Sequence, residues 1–202
     1  MKSLLITKLR DKESSLEEFR TAAYHLGDTL AHITMSHFQK KEITVETPLG
    51  ETTGACFDEP VVLVPILRAG LVLLPPFLSL FPWARVGIIG LRRNETTAIA
   101  DKYYENFPEL SYKDHIIVLD PMLATGGSAI NAIKCLLEKG ADLNKIKMVC
   151  MIGATEGIQA FKAEYPSIDL IIAQEDSVLT DDKFIYPGLG DFGDRFFGTE
   201  IS

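Results

Sequence analysis

Cysteine is scarce in this 202-residue chain: Cys56, Cys135 and Cys150 are the only three, with no Cys-x-x-Cys spacing. An odd, scattered set argues against a disulfide framework or a cysteine-based zinc site, and favours a reducing compartment. Positive charge is in deficit as well. Lys plus Arg number 20 against 28 Asp plus Glu, a formal net charge of −8. Phosphate backbones and anionic lipid attract net positive faces, so neither a nucleic acid nor a membrane is an expected partner. A local basic pocket for a small anion is compatible with that balance. Long apolar runs are missing too. The richest stretch, near 61–83, is broken by Arg68, Pro75-Pro76 and Pro82, which argues against a membrane span. At the start, the apolar run Leu4 to Ile6 is too short for a secretory h-region, so the cytoplasm is the expected location.

Several chemical signatures are also absent. There is no GxSxG elbow, no EF-hand spacing and no GxxxxGK[ST] phosphate loop. His25, His32 and His37 fall on one predicted helix at spacings of seven and five, wrong for an i, i+4 metal pair; they read as solvated or packing residues, and His115 as a surface residue. Gly188, Gly190 and Gly193 formally satisfy GxGxxG. Only nine residues of this sequence follow Gly193, too few for the helix, strand and ribose-binding acid of a dinucleotide fold.

What is present reads as one domain over 1–202, with no internal repeat or linker. A helix is predicted from about 15 to 38. Ser15 and Glu18 fit a capping box, and Leu16, Phe19, Ala23, Leu26, Leu30 and Ile33 form one apolar stripe. Residues 43–47 and 51–57, joined by Pro48-Leu49-Gly50, suggest a hairpin. Apolar runs at 61–66, 85–90, 116–120, 147–152 and 168–173 read as strands buried on both faces. Helical segments at 128–139 and 156–164 alternate with the last three. The expected class is α/β, a mainly parallel sheet flanked by helices.

Ligands of such sheets bind at loops beyond the strands' carboxyl ends. The most informative loop runs Asp120-Pro121-Met122-Leu123-Ala124-Thr125-Gly126-Gly127-Ser128. Gly126 and Gly127 let backbone N–H groups turn toward a ligand, Thr125 and Ser128 add hydroxyls, and the following helix contributes its dipole. This is an anion cradle suited to phosphate. Asp120 at its edge suits a ribose hydroxyl or Mg²⁺.

This loop resembles the phosphoribosyl-diphosphate (PRPP) motif of type I phosphoribosyltransferases, and its Asp-Pro-Met-Leu-Ala-Thr-Gly-Gly-Ser form resembles the uracil phosphoribosyltransferase family. Other segments agree in order, so that the likeness covers about residues 8–200. Pro65 to Gly70 resembles the pyrophosphate loop, with the Arg68 guanidinium and the N–H groups of Ala69 and Gly70 as donors. Residues 91–110 resemble a β-hairpin hood over PRPP, with Arg93 as its phosphate-binding arginine. The segment at about 174–200 resembles the base-recognition stretch, where Ile185, Gly190, Asp191 and Phe192 would meet uracil and Asp191 would also lie beside PRPP. The resemblance implies PRPP, uracil and Mg²⁺, the metal held mainly through PRPP, with Asp120, Arg93 and Asp191 closest to the chemistry. It also implies a homodimer or higher homo-oligomer, which the N-terminal helix stripe would suit.

Departures from the family pattern are local. Arg92 stands where Tyr is usual, Ala98-Ile99-Ala100 where a Leu-x-Pro stretch is, and Met35-Ser36 where an Arg is common. Leu73-Leu74-Pro75-Pro76 replaces a more polar segment. Phe192 replaces a small residue beside the base pocket, which its ring is expected to narrow or re-aim. Two other readings stand beside the main one: a phosphoribosyltransferase for another base, and a non-catalytic regulator that senses a nucleotide or PRPP.

Overall fold

Continuous Val/Ile/Leu runs must lose water on both sides, and in this chain they do so as the middle of a parallel sheet. The structure, a computed structural model, describes residues 1–93 and 100–199. Helices α1 (Lys2–Arg10) and α2 (Leu16–Ser36) precede a hairpin of β1 (Lys41–Thr47) and β2 (Gly50–Cys56). Then follow β3 (Val61–Leu67), a 3₁₀ turn, α3 (Leu74–Leu80), β4 (Arg85–Val86), β5 (Ile88–Arg93) and β6 (Ala100–Asn106). The second half runs β7 (His115–Leu119), β8 (Met122–Leu123), α4 (Gly127–Glu138), β9 (Ile146–Ala154), α5 (Thr155–Glu164) and β10 (Asp169–Asp176). Strands β11 (Val178–Leu179) and β12 (Ile185–Tyr186) and helix α6 (Phe192–Phe197) complete it.

The main sheet has the order β10-β9-β7-β3-β5-β6, with β4 beside β3 and β8 beside β9. All its pairs are parallel except β5–β6. Successive side chains of a strand point to opposite faces. Val61, Leu63, Ile117, Leu119, Val149 and Met151 therefore join the helices α1, α2, α3 and α6 on one face. Val62, Val64, Ile116, Val118, Met148 and Cys150 meet α4 and α5 on the other. This double burial explains the lack of polar alternation in these strands.

The predicted elements are found with shifted ends. Helix α2 carries the Ser15–Glu18 capping box. The single strand expected over 85–90 divides at Gly87, whose N–H bonds to Leu63 O at 2.9 Å, because β4 and β5 pair with different parts of β3. Pro75 and Pro76 open α3, where a missing N–H costs nothing, and Pro76 packs against Gly27 of α2. His115, expected at the surface, is largely covered: its Nε2 lies 2.6 Å from Glu59 Oε2 and its ring packs on Phe38 and Phe57.

Helix α1 carries a weak stripe, with only Ile6 and Leu9 buried, and is held by long-range polar contacts. The Arg195 guanidinium of α6 donates to the carbonyls of Leu9, Leu189 and, at 2.6 Å, Asp11, and lies over the Phe19 ring. Arg10 Nη2 meets buried Asp176 at the end of β10 at 2.5 Å, and Asp176 Oδ2 accepts the Gly188 N–H at 2.8 Å. The C-terminal segment is thereby fixed over the carboxyl ends of the sheet.

Close backbone contacts set the loops. A Cβ at Gly157, in the first turn of α5, would lie 2.1 Å from Ala124 O. Gly157→Ala is expected to lose about 1–3 kcal/mol, the usual penalty of overpacking. Urea unfolding checks it, and an unchanged midpoint would mean that helix and loop do not meet this closely.

Candidate active site

The carboxyl ends of β3, β5 and β7 and the β12–α6 segment enclose a cleft of about 450 Å³. Its walls include Arg68, Ala69, Leu91, Arg92, Asp120, Met122, Ala124, Ile185, Gly190, Asp191 and Phe192. A second lobe of about 160 Å³ is lined by residues 122–129 with Asp120 and Lys183. The lobes share Asp120, Met122, Ala124 and Lys183 as walls, so they adjoin at Asp120.

The smaller lobe sits at the N-terminus of α4. Gly126, its N-cap, has φ +83, a left-handed conformation that suits glycine, and a Cβ there would lie 2.9 Å from Gly157 O. The turn thus exposes the first N–H groups of a 12-residue helix, an anion-binding arrangement. Thr125 Oγ1 steadies it by accepting the Gly127 N–H at 3.4 Å. Pro121 O accepts N–H groups of both Met151 and Ile152 at 3.0 Å, which ties the loop's start to β9.

In the larger lobe Arg68 is 59% exposed, 3.4 Å from Asp194 Oδ1 and over the Phe197 ring. The Leu67–Arg68 peptide is cis. Gly70 packs its backbone on the end of β7, where a Cβ would meet Leu119 O at 2.3 Å. Asp120 receives the Met122 N–H at 3.4 Å, and burial pushes its carboxyl up from 3.8 to about 7. Asp191 Oδ1 accepts the Asp194 N–H at 2.8 Å as the N-cap of α6.

The structure brings most of the expected site residues to one place. Among the described residues, Gly70 and Pro121 wall neither lobe and instead back the two loops. Leu123 lines the small lobe while its side chain is core. Arg93 ends the backbone of β5, and the expected hood residues Asn94 to Ile99 lie outside the described residues. Phe192 departs from expectation. The residue is 2% exposed and its ring is packed 5.3 Å from Phe19 and 5.9 Å from Phe196, so the ring joins the core while the residue still walls the cleft. An aromatic ring at the first turn of a helix that rests on α2 gains more from burial than from facing an open cleft. Lys183, walling both lobes, has no motif in the sequence; its left-handed φ of +67 is visible only in the structure.

The arrangement is that of the phosphoribosyltransferase fold. A purine phosphoribosyltransferase from Pyrococcus horikoshii superposes with a TM-score of 0.52 at 12% identity, covering 75% of this chain and 80% of that one. At that identity the likeness is one of fold alone. A solved protein of Aquifex aeolicus is nearer, with a TM-score of 0.88 and 33% identity over 100% of this chain and 96% of that one. The family model described as uracil phosphoribosyltransferase matches residues 2–199. Proteins named uracil phosphoribosyltransferase from Metamycoplasma hominis and Dictyoglomus turgidum are 41% and 45% identical, over 97% and 96% of this chain and 93% and 94% of theirs. The chain belongs to the uracil phosphoribosyltransferase family.

Two outcomes follow from the site. A carboxyl raised to about 7 keeps its proton in the folded state while the unfolded chain has lost it above 3.8. Asp120 therefore lowers stability progressively from about pH 4 to 7, and the deficit is constant above that. In the ligand-free protein Asp120→Asn is expected to be more stable than wild type at pH 8, with the gap closing toward pH 4, as read from urea midpoints. Phe192→Ala is expected to cost about 3–5 kcal/mol of stability as a core truncation. In properly folded protein it leaves KM for the base within a few-fold, whereas a ring facing the base would give a large KM change.

Proposed function

We propose that the protein transfers the 5-phosphoribosyl group from PRPP to uracil, giving UMP and pyrophosphate in pyrimidine salvage. The observation that supports this best is the meeting of two unlike lobes over one carboxyl. A neutral N–H cradle adjoins a cleft with a guanidinium on one side and the glycine-rich segment before α6 on the other. Such a site suits a molecule with a phosphate at one end, a sugar in the middle and a diphosphate and base at the other.

In this reading the cradle from Ala124 to Ser128 takes the 5′-phosphate. Arg68, with the N–H groups of Ala69 and Gly70, takes the pyrophosphate, and Arg93 from the hood adds a second guanidinium. Asp120 lies beneath the ribose. As the C1–O bond to pyrophosphate breaks, C1 becomes oxocarbenium-like, and a carboxylate beside it stabilises that charge. Uracil N1 forms the new bond to C1 and gives up its proton to the departing pyrophosphate, which leaves with the electron pair of the C1–O bond. Asp191 has Oδ1 committed to its helix cap, and its second oxygen serves the substrate. Ile185, Gly190 and the backbone of Phe192 read the base edge. Holding these groups in line supplies much of the rate, and a closed hood keeps water from C1.

Among the described residues no cluster of three or more His, Cys, Asp or Glu could hold a metal on its own. In this reading Mg²⁺ would be carried by PRPP oxygens, with one protein carboxylate, Asp120, within reach. Bound there, Mg²⁺ would neutralise the leaving diphosphate. The proposed setting is the cytoplasm. The proposed assembly is a homodimer or higher homo-oligomer, supported by the β1–β2 hairpin, which stands off with Ile43, Val45 and Leu49 exposed.

An assay with PRPP, Mg²⁺ and each of uracil, hypoxanthine, xanthine and orotate tests the reading. UMP and pyrophosphate are expected from uracil alone. Turnover confined to another base would overturn the base assignment, and no turnover with any base would favour a regulatory binding protein.

A further inference from the structure

Resting on the PRPP reading above, we propose that Lys183 is the missing cation of the phosphate cradle: its ammonium pairs with the 5′-phosphate of the phosphoribosyl group. The cradle in the sequence lacks the lysine that a nucleotide P-loop carries just before its helix. The fold supplies one from a turn far along the chain. Among the described residues that wall the small lobe, Lys183 is the one cation, and Asp120 is the one acid.

The backbone at this position argues that the side chain is there for a ligand. Lys183 closes a turn in which its N–H bonds to Thr180 O at 2.8 Å, and its φ is +67. That is uphill for a residue with a Cβ and costs glycine nothing. Among the described residues it is the only non-glycine at positive φ. The fold gains little in return. The ammonium lies 3.9 Å from Glu156 Oε1, with both side chains largely exposed (41% and 59%), a pair of small worth.

Glu156 marks where the resting lysine lies. It precedes Gly157, the residue on which Ala124 of the cradle rests, so the Lys183 ammonium waits at the cradle's rim. A dianionic phosphate outcompetes one solvated carboxylate for a lysine, and a flexible four-carbon stem can follow it into the lobe. Lys183 also screens the phosphate from Glu156. Because it reaches both lobes, it spans the ribose-phosphate half of the ligand.

Calorimetry with ribose 5-phosphate and with pyrophosphate, each as its own probe, separates this proposal from the reading it rests on. Wild-type protein is expected to bind both, and binding of neither would overturn the PRPP reading itself. Lys183→Met is expected to weaken ribose 5-phosphate about tenfold, the scale of one lost charge-assisted hydrogen bond, with pyrophosphate unchanged. Lys183→Gly should lose the same affinity while raising Tm, since glycine suits the backbone; those opposite signs separate lost charge from lost folding. Lys183→Arg should recover most of the affinity. Glu156→Gln, which releases the lysine, should tighten ribose 5-phosphate a few-fold. Unchanged ribose 5-phosphate affinity in Lys183→Met, or an equal loss for pyrophosphate, would overturn the assignment.

Discussion

The distance between the two halves of the cleft is set by backbone meeting backbone. Gly70 rests on the carbonyl of Leu119 at the end of β7, and Gly157 rests on the carbonyl of Ala124 in the cradle. With a side chain at either place, the loop after β3 or the N-terminus of α5 would have to retreat. The Arg68 loop and the cradle would then lie at other separations from Asp120, between them. Rigid strands alone do not determine this geometry. They align the loops at one edge, and the glycines decide how closely the loops approach.

Charge is economised in a way that suits an acidic chain. The turn into α4 offers N–H groups, hydroxyls and a helix terminus, which carry no net charge. Guanidinium enters the cleft at Arg68, whose partners Asp194 and Phe197 orient it without burying it. The acids are dispersed among structural tasks: Asp176 ties α1 and Gly188 to the sheet, Asp191 and Asp194 organise α6, and Asp114 holds the Ser111 turn. Much of the negative charge close to the cleft is therefore already hydrogen-bonded. Asp120 differs, having one weak backbone donor, and that is why burial dominates its acidity.

The parts that could be read from sequence are those with local causes. The parallel strands were legible because burial on both faces demands unbroken apolar runs, and α2 because its stripe and Ser15–Glu18 cap coincide. The turn into α4 was legible because a pair of glycines between a buried strand and a helical segment marks a tight turn. Helix α1 was not, since two buried side chains make no periodicity and its hold on the fold comes from Arg195 and Asp176, far along the chain. The orientation of Phe192 was not legible either. Its position next to Asp191 and Gly193 placed it at the base pocket, but its ring answers to Phe19 and Phe196, one far away in sequence and one a turn along the same helix.

On the proposed reading, Phe192 illustrates how a base pocket can accommodate a large residue. A base read through backbone N–H and C=O groups makes its demands on the path of the chain, and that path is held by Gly188 on Asp176 and by the Asp191 cap. The side chain at 192 is then free to serve the core. There it adds a stacked pair with Phe196 that presses α6 against α2 and so supports the same path. A larger residue beside a binding site is ordinarily expected to change what binds. In this fold its ring packs on Phe19 and Phe196, and what it contributes is rigidity of α6.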